Sequence, residues 1–342
     1  MEIRRSGGAE QYHADKRYTD ALNFAVEACA EDTECQACYI CLEDGSEEGL
    51  VRGCACRGAA GYTHMSCLVR QAQIATGDLD DFDNSDAAWD KWTICGLCKQ
   101  DFHGVVVNAI GWACWKTYVG FPEARDIRQS ALSTLSFCIC DADIANDVSV
   151  HQARYDDVCR FLPNDEDNML TAKANLAIAY SKDGREGEAL LMEREIYAKT
   201  REIYGEESED NINTVHNLAK LLLEAALHGE ARTLLRDYLA VAPRSLGSDH
   251  QETLTLRLNY AVALVYEGDD EDEETDDEQD RADYLEAERI AADVDRRAEL
   301  VFGTQHPLII EAQDTLREVR DELAATERKL TLRTRPKRAR DD

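Results

Sequence analysis

The chain has 342 residues, 44% of them hydrophobic, and a formal net charge of −31, which is length enough for two domains. That charge excludes a general binder of nucleic acid or of anionic membrane, since both need positive surface. Residues 1–18 carry charge throughout and contain no apolar h-region, so no export is expected and the thirteen cysteines are not read as a disulfide framework. A cytoplasmic location follows as the expectation.

In chain order, residues 1–33 form an N-terminal segment expected to be partly helical. Eight metal-ligand residues then follow in pairs: Cys38-x2-Cys41, twelve residues, Cys54-x-Cys56, seven residues, His64-x2-Cys67, twenty-seven residues, Cys95-x2-Cys98. A two-residue gap lets both thiolates of a knuckle reach one ion without straining the chain, and Zn²⁺ takes four S/N ligands in a tetrahedron. Four pairs therefore predict two Zn²⁺. A shifted register through Cys35 would strand Cys41.

This pattern resembles the RING-CH (RING-variant) finger of the ubiquitin ligases of that name, over roughly residues 34–104. The likeness extends to Cys38-Tyr39-Ile40-Cys41-Leu42-Glu43, to Cys54-Ala55-Cys56-Arg57-Gly58 and to Gly61-Tyr62-Thr63-His64. A PHD finger shares the ligand order but usually spaces ligands three and four more widely and leaves fewer residues before the histidine. The resemblance implies that Cys38, Cys41, His64 and Cys67 hold one ion and that Cys54, Cys56, Cys95 and Cys98 hold the other. It also implies a partner, a ubiquitin-conjugating enzyme charged with ubiquitin, docked on Ile40 and Leu97, with Lys99 steadying the thioester-linked ubiquitin.

Two positions depart from the family. Gln71 stands where related fingers place a groove tryptophan, and Gly96 where many have proline. Trp89 and Trp92 have two readings, packing of the finger's small core or, for Trp92 in particular, a substitute docking residue.

Residues 105–124 are expected to form a connecting helix. Their best apolar stretch, 105–115, is interrupted by Asn108 and ended by Lys116, short of the ~20 residues a membrane span requires. Trp112, Trp115 and Tyr118 are available there for packing. The cysteines outside the finger pattern, Cys29, Cys35, Cys114, Cys138, Cys140 and Cys159, read as reduced, partly buried thiols.

Asn175-Leu176-Ala177, Asn217-Leu218-Ala219 and Asn259-Tyr260-Ala261 recur every 42 residues, and Gly184, Glu188-Ala189, Gly205, Glu230-Ala231, Gly247 and Gly268 fall in matching columns. Beyond residue 268 the matches arrive fourteen residues late, at Glu286-Ala287 and Gly303. The acidic run at 269–281 is the insertion, expected to be a disordered, solvated loop. Apolar residues at helical spacing make each repeat two helices, and stacked pairs make a solenoid. The repeats resemble the tetratricopeptide repeats of kinesin light chain. Residues 125–162 read as a degenerate first unit with Ser133 in the asparagine column, and 307–325 as a closing helix, so the repeat region spans 125–326. By that likeness Asn175, Asn217 and Asn259 face a groove and bind the backbone of a peptide substrate; bonding within the helices is the other reading. Residues 327–342 form a basic tail, expected to be disordered, readable as a nuclear import signal or as a solvated terminus.

The expected architecture is thus a small zinc-stabilised α+β RING-variant finger followed by an all-α tetratricopeptide-repeat solenoid. The expected function is a ubiquitin ligase without a covalent ubiquitin intermediate, its finger recruiting the charged conjugating enzyme and its repeats the protein substrate. The alternative is a non-catalytic zinc-finger and tetratricopeptide scaffold.

Overall fold

Apolar residues recur with helical period between Ala14 and Cys29, and the chain forms one helix there, α1 (Ser6–Thr33), in the computed structural model. The structure describes residues 6–77, 85–122, 126–139, 144–266, 277–303 and 306–334. It divides into two units, Met1–Asp183 and Gly184–Asp342.

In the first unit, α1 is followed by two short strands, β1 (Leu50–Val51) and β2 (Thr63–His64). These pair antiparallel, with Leu50 opposite His64 and Val51 opposite Thr63. Helix α2 (Met65–Thr76) follows at once. A single turn, α3 (Asp86–Trp89), and a 3-10 turn, Asp90–Trp92, lead to α4 (Gly104–Tyr118). Helix α4 is buried on nearly every side, from Val106 through Cys114, because it is apolar all round. It is therefore the central helix of this unit. No described helix is long and apolar enough to cross a membrane.

The finger has only a small core of its own, Cys38, Leu50 and Tyr62 with Ile40 and Cys67 against them. Val51, Met65, Leu68 and Trp92 from the finger share one apolar cluster with Ala25 of α1 and with Val106, Ile110 and Tyr118 of α4. Gly53 permits this closeness, since a Cβ there would lie 2.4 Å from Val106 Cβ. The end of α4 leaves backbone carbonyls unpaired. Buried Arg128 satisfies two of those that follow, donating to Val119 O at 2.8 Å and Phe121 O at 3.1 Å, and it pairs with Glu10 of α1 at 3.3 Å.

Arg128 belongs to α5 (Asp126–Cys138), which packs on α4 and on α6 (Ile144–Phe161). Helix α6 in turn packs on α7 (Glu166–Lys182). A buried polar chain joins the three helices. Ser136 Oγ lies 3.0 Å from His151 Nδ1, His151 Nε2 lies 2.9 Å from Asp147, and Lys182 approaches Asp147 at 3.7 Å. The serine is buried, so the set acts as a helix lock, each member satisfying the next.

The second unit contains α8 (Glu186–Tyr204), α9 (Glu209–Glu224), α10 (His228–Tyr238), the short α11 (Val241–Ser245), α12 (Gln251–Tyr266), α13 (Asp277–Phe302) and α14 (Pro307–Thr334). The repeat columns have a packing cause. Ala219 and Ala261, and likewise Ala189, Ala231 and Ala287, are all fully buried. A methyl is the largest group these positions hold where helices approach each other. The fold class is a two-stranded finger region with a cysteine/histidine cluster, followed by tetratricopeptide-like helical repeats.

Two expected disordered segments differ from the structure. From Asp277 onward the acidic insertion is part of α13, while 267–276 lie outside the described residues. The basic tail is helical as far as Thr334, continuing α14, because 327–334 contain neither glycine nor proline. Residues 335–342, and Cys140, lie outside the described set.

The glycine column marks left-handed turns: Gly184 has φ 77° and Gly205 φ 83°. Ala226, forty-two residues after Gly184, takes φ 56° without being glycine. A Cβ in that region is strained by roughly 1 kcal/mol. Ala226→Gly should therefore stabilise the second unit by up to about 1 kcal/mol, raising its melting temperature by about 2–4 °C in a thermal scan. An unchanged or lowered temperature would show that the left-handed alanine costs nothing.

Candidate metal centre and docking surface

Two knuckles are built alike. In the first, Cys38 N donates to Glu43 O at 2.8 Å, Leu42 N to Cys38 O at 2.9 Å and Ile40 N to Cys38 Sγ at 3.4 Å. In the second, Cys95 N donates to Gln100 O at 2.9 Å, Lys99 N to Cys95 O at 3.0 Å and Leu97 N to Cys95 Sγ at 3.4 Å. Each is closed by one antiparallel bridge, Ala37 with Asp44 and Ile94 with Asp101. Leu42 and Lys99 each take a left-handed backbone, φ 67° and 60°, directly after the second cysteine. Amides that point at sulfur favour thiolate over thiol.

The fold interleaves the pairs. Cys38, Cys41, His64 and Cys67 have their donor atoms within 4.8 Å of one another, and so do Cys54, Cys56, Cys95 and Cys98. The β1–β2 pairing carries His64 back toward the first knuckle, and α2 starts beside it with Cys67 in its first turn. His64 Nε2 lies 2.8 Å from Asp44 O, which can only accept, so that nitrogen carries the proton. Nδ1 is left facing Cys41 Sγ at 3.3 Å and Cys67 Sγ at 3.9 Å. This is the backbone contact that orients a metal-ligating imidazole. In the second set, Cys56 and Cys95 sulfurs are 3.8 Å apart. A tetrahedron with metal–sulfur bonds near 2.3 Å has edges of about 3.8 Å, so both sets have dimensions that could hold a metal ion.

The electrostatics agree. Burial opposes ionisation of Cys38, yet the Thr63 hydroxyl and the amides around Cys41, His64 and Ile40 outweigh it and bring the thiol down to about 6. Backbone hydrogen bonding at Gln100 lowers Cys98 to about 7. Burial, and then neighbouring thiols, push Cys67 up to about 12 and Cys54 upward as well. In each set one thiol ionises readily while a crowded neighbour resists, and a bound cation would let all of them become thiolates together.

Glu48 anchors the N-terminus of α2. Its carboxylate accepts from Ser66 N at 2.8 Å and also from the Ser66 hydroxyl. It thereby ties the loop after the first knuckle to the turn that carries His64 and Cys67.

Of the residues assigned to docking, Ile40 is half-buried, Leu97 is 47% exposed and Lys99 is exposed. Trp92 is corrected: it is 0% exposed, packed edge-on to Tyr118 at 6.0 Å, and so belongs to the core and not to a surface. Trp89 lies against the same tyrosine at 5.8 Å. Two residues went unnoticed in the sequence. Leu42 is 79% exposed, and Ile74, one helical turn after Gln71, is 67% exposed. The turn spacing on α2 was a usable signal for Ile74; Leu42 had none, because its exposure follows from the left-handed knuckle turn.

Asn175 on α7 is half-buried, as are Asn217 on α9 and Asn259 on α12. Helices α9 and α12 pack together. Asn259 Nδ2 is buried with no hydrogen-bond partner among the described residues.

Residues 38–98 match the family described as RING-variant domain, and residues 169–210 match the tetratricopeptide repeat family. Among solved structures the chain is similar to TPR-like repeats from Podosopora anserina described as kinesin light chain. One crystal structure, a substituted form, has 17% identity over 61% of this chain and 97% of that one, with a TM-score of 0.43. A second has 18% identity over 63% and 99%, with a TM-score of 0.43. BtubC (BKLC) from P. vanneervenii has 14% identity over 63% and 85%, with a TM-score of 0.39. No curated protein matches the chain.

Glu48→Ala should weaken metal binding at the His64 set by about tenfold, the usual effect of losing a group that orients a ligand. Competition with a chromophoric chelator reads this directly. An affinity equal to wild type would show that the α2 turn needs no external anchor.

Proposed function

From a chain that carries a RING-variant domain and tetratricopeptide repeats, we propose a ubiquitin ligase of the RING type. Cys38, Cys41, His64 and Cys67 hold one Zn²⁺, and Cys54, Cys56, Cys95 and Cys98 hold the other. Bound zinc cross-links the loops and neutralises their thiolates; the chemistry of transfer belongs to the partner. A conjugating enzyme charged with ubiquitin docks on Ile40 and Leu97, Lys99 steadies the ubiquitin, and a lysine of the substrate attacks the thioester. The finger contributes position and orientation, which alone can account for large accelerations.

One observation supports this reading: both knuckles and α2 come together at Gly96. Ile40 and Leu97 hold the same position in two knuckles of the same geometry, each amide on its own sulfur. Gly96 of the last knuckle lies beside Gln71 of α2 and Tyr39 of the first knuckle. The repeats supply the substrate site in this proposal. Asn259 Nδ2, without a partner among the described residues, supports a peptide backbone as the ligand, with Asn217 on the neighbouring helix.

The scaffold reading is favoured by a different observation. With Trp92 in the core and Gln71 in the tryptophan position, neither residue supplies the docking surface with a tryptophan anchor.

Purified protein should contain two zinc per chain by elemental analysis and should discharge ubiquitin from a charged conjugating enzyme to free lysine. Leu97→Ala and Ile40→Ala should lower the rate at least tenfold with both metals retained, since small docking surfaces depend on a few anchors. Lys99→Ala should lower the rate with less loss of docking. Two zinc without discharge from any enzyme of a broad panel would leave the scaffold.

A further inference from the structure

The centre of the proposed docking surface is polar. Tyr39 and Gly96 occupy equivalent positions, each directly after the first cysteine of its knuckle. A Cβ built on Gly96 would lie 3.6 Å from Gln71 Oε1, 3.9 Å from Gln71 Nε2 and 3.8 Å from the Tyr39 hydroxyl. These are ordinary contact distances, so the glycine leaves a methyl-sized space bounded by a carboxamide and a phenol. The Tyr39 hydroxyl is buried and has no hydrogen-bond partner among the described residues. Neither atom of the Gln71 amide has a partner among the described residues. Next to it in the chain, Leu97 follows Gly96 and is exposed, half-buried Ile40 follows Tyr39, and exposed Ile74 lies one turn after Gln71 on α2.

An apolar side chain placed over Gly96 would strip water from the Gln71 amide and return nothing for it. A side chain with a hydroxyl or amide would replace that water. Sites built to hydrogen-bond a group discriminate strongly against the analogue that lacks it, because their own polar atoms are left unpaired.

We propose that Gln71 is a specificity-determining residue for this finger, selecting conjugating enzymes whose docking loop presents a hydrogen-bonding side chain over Gly96. This rests on the ligase reading above. Gln71 touches neither thioester nor substrate; it acts through which partner is held. The two departures from the family pattern, Gln71 and Gly96, are then one device, since the small residue makes the room in which the amide is read.

The test uses full-length, zinc-loaded protein and single-turnover discharge to free lysine over a panel of charged conjugating enzymes. Gln71→Leu keeps the size and removes the hydrogen bonds. It should lower the rate about tenfold or more for the enzymes that wild type prefers, and raise it for enzymes with an apolar residue at the contact. A double-mutant cycle between Gln71→Leu and alanine substitutions along the docking loop of the preferred enzyme should show coupling at one polar position. Gly96→Ala meets only ordinary contacts, so it should fold with two zinc and lose activity by filling the space. Discharge that proceeds with an unchanged ranking after Gln71→Leu, or an undiminished rate after Gly96→Ala, overturns this proposal and leaves the ligase standing. Absence of discharge from every enzyme overturns both.

Discussion

The finger is arranged around the crossing of four ligand pairs. The first pair meets the third and the second meets the fourth, so no loop can close without the other loop closing through it. Among the described residues between 38 and 98 regular structure is scant, two strands of two residues each, one helix of three turns, a single helical turn and a 3-10 turn. Such a segment buries too little apolar surface to order itself, and the eight donor atoms replace a core as the organising element. The supporting bonds serve the same end: amides on Cys38 and Cys95 sulfurs, a carbonyl on His64 and a carboxylate on the α2 turn.

The finger is nonetheless not a separate bead. Its inner face continues into α1 and α4, where Trp92 and Trp89 pack on Tyr118 and Gly53 lets the chain press on Val106. The outer face keeps Leu42, Leu97 and Ile74 in solvent. The tryptophans and the exposed aliphatics thus differ in place: aromatic bulk stabilises the join to the helices, and the aliphatics stay in solvent. Exposed apolar groups grouped with unpaired polar ones are a feature of surfaces that bind.

The repeats obey a simpler rule. Their recurring alanines are buried where helices meet, their glycines sit in left-handed turns, and neighbouring helices are joined by pairs such as Arg257–Asp293 and His216–Glu252. The asparagine column is the part of the motif that packing does not use. Among the described residues, Asn259 of that column carries a buried donor without a partner.

Read alone, the sequence determined what is local: which residues can bind metal, because ligand type and spacing are properties of the chain, and where helices recur, because periodicity is one-dimensional. It also held the repeat columns and the weakness of the apolar stretch at 105–115 as a membrane span. The tertiary structure alone decided what depends on direction. Trp92 could face in or out, and only the turn at Asp90–Trp92 sends it inward against Tyr118. Leu42 became exposed through a left-handed turn that no residue preference announces. Gln71 and Gly96 are twenty-five residues apart in the chain and side by side in the fold, so their joint meaning was invisible until both were placed. The acidic and basic segments were misread where helix propensity prevailed over charge, at the start of α13 and the end of α14. Composition reports whether a stretch can build a core, whereas an existing helix needs only one more hydrogen bond per residue to continue.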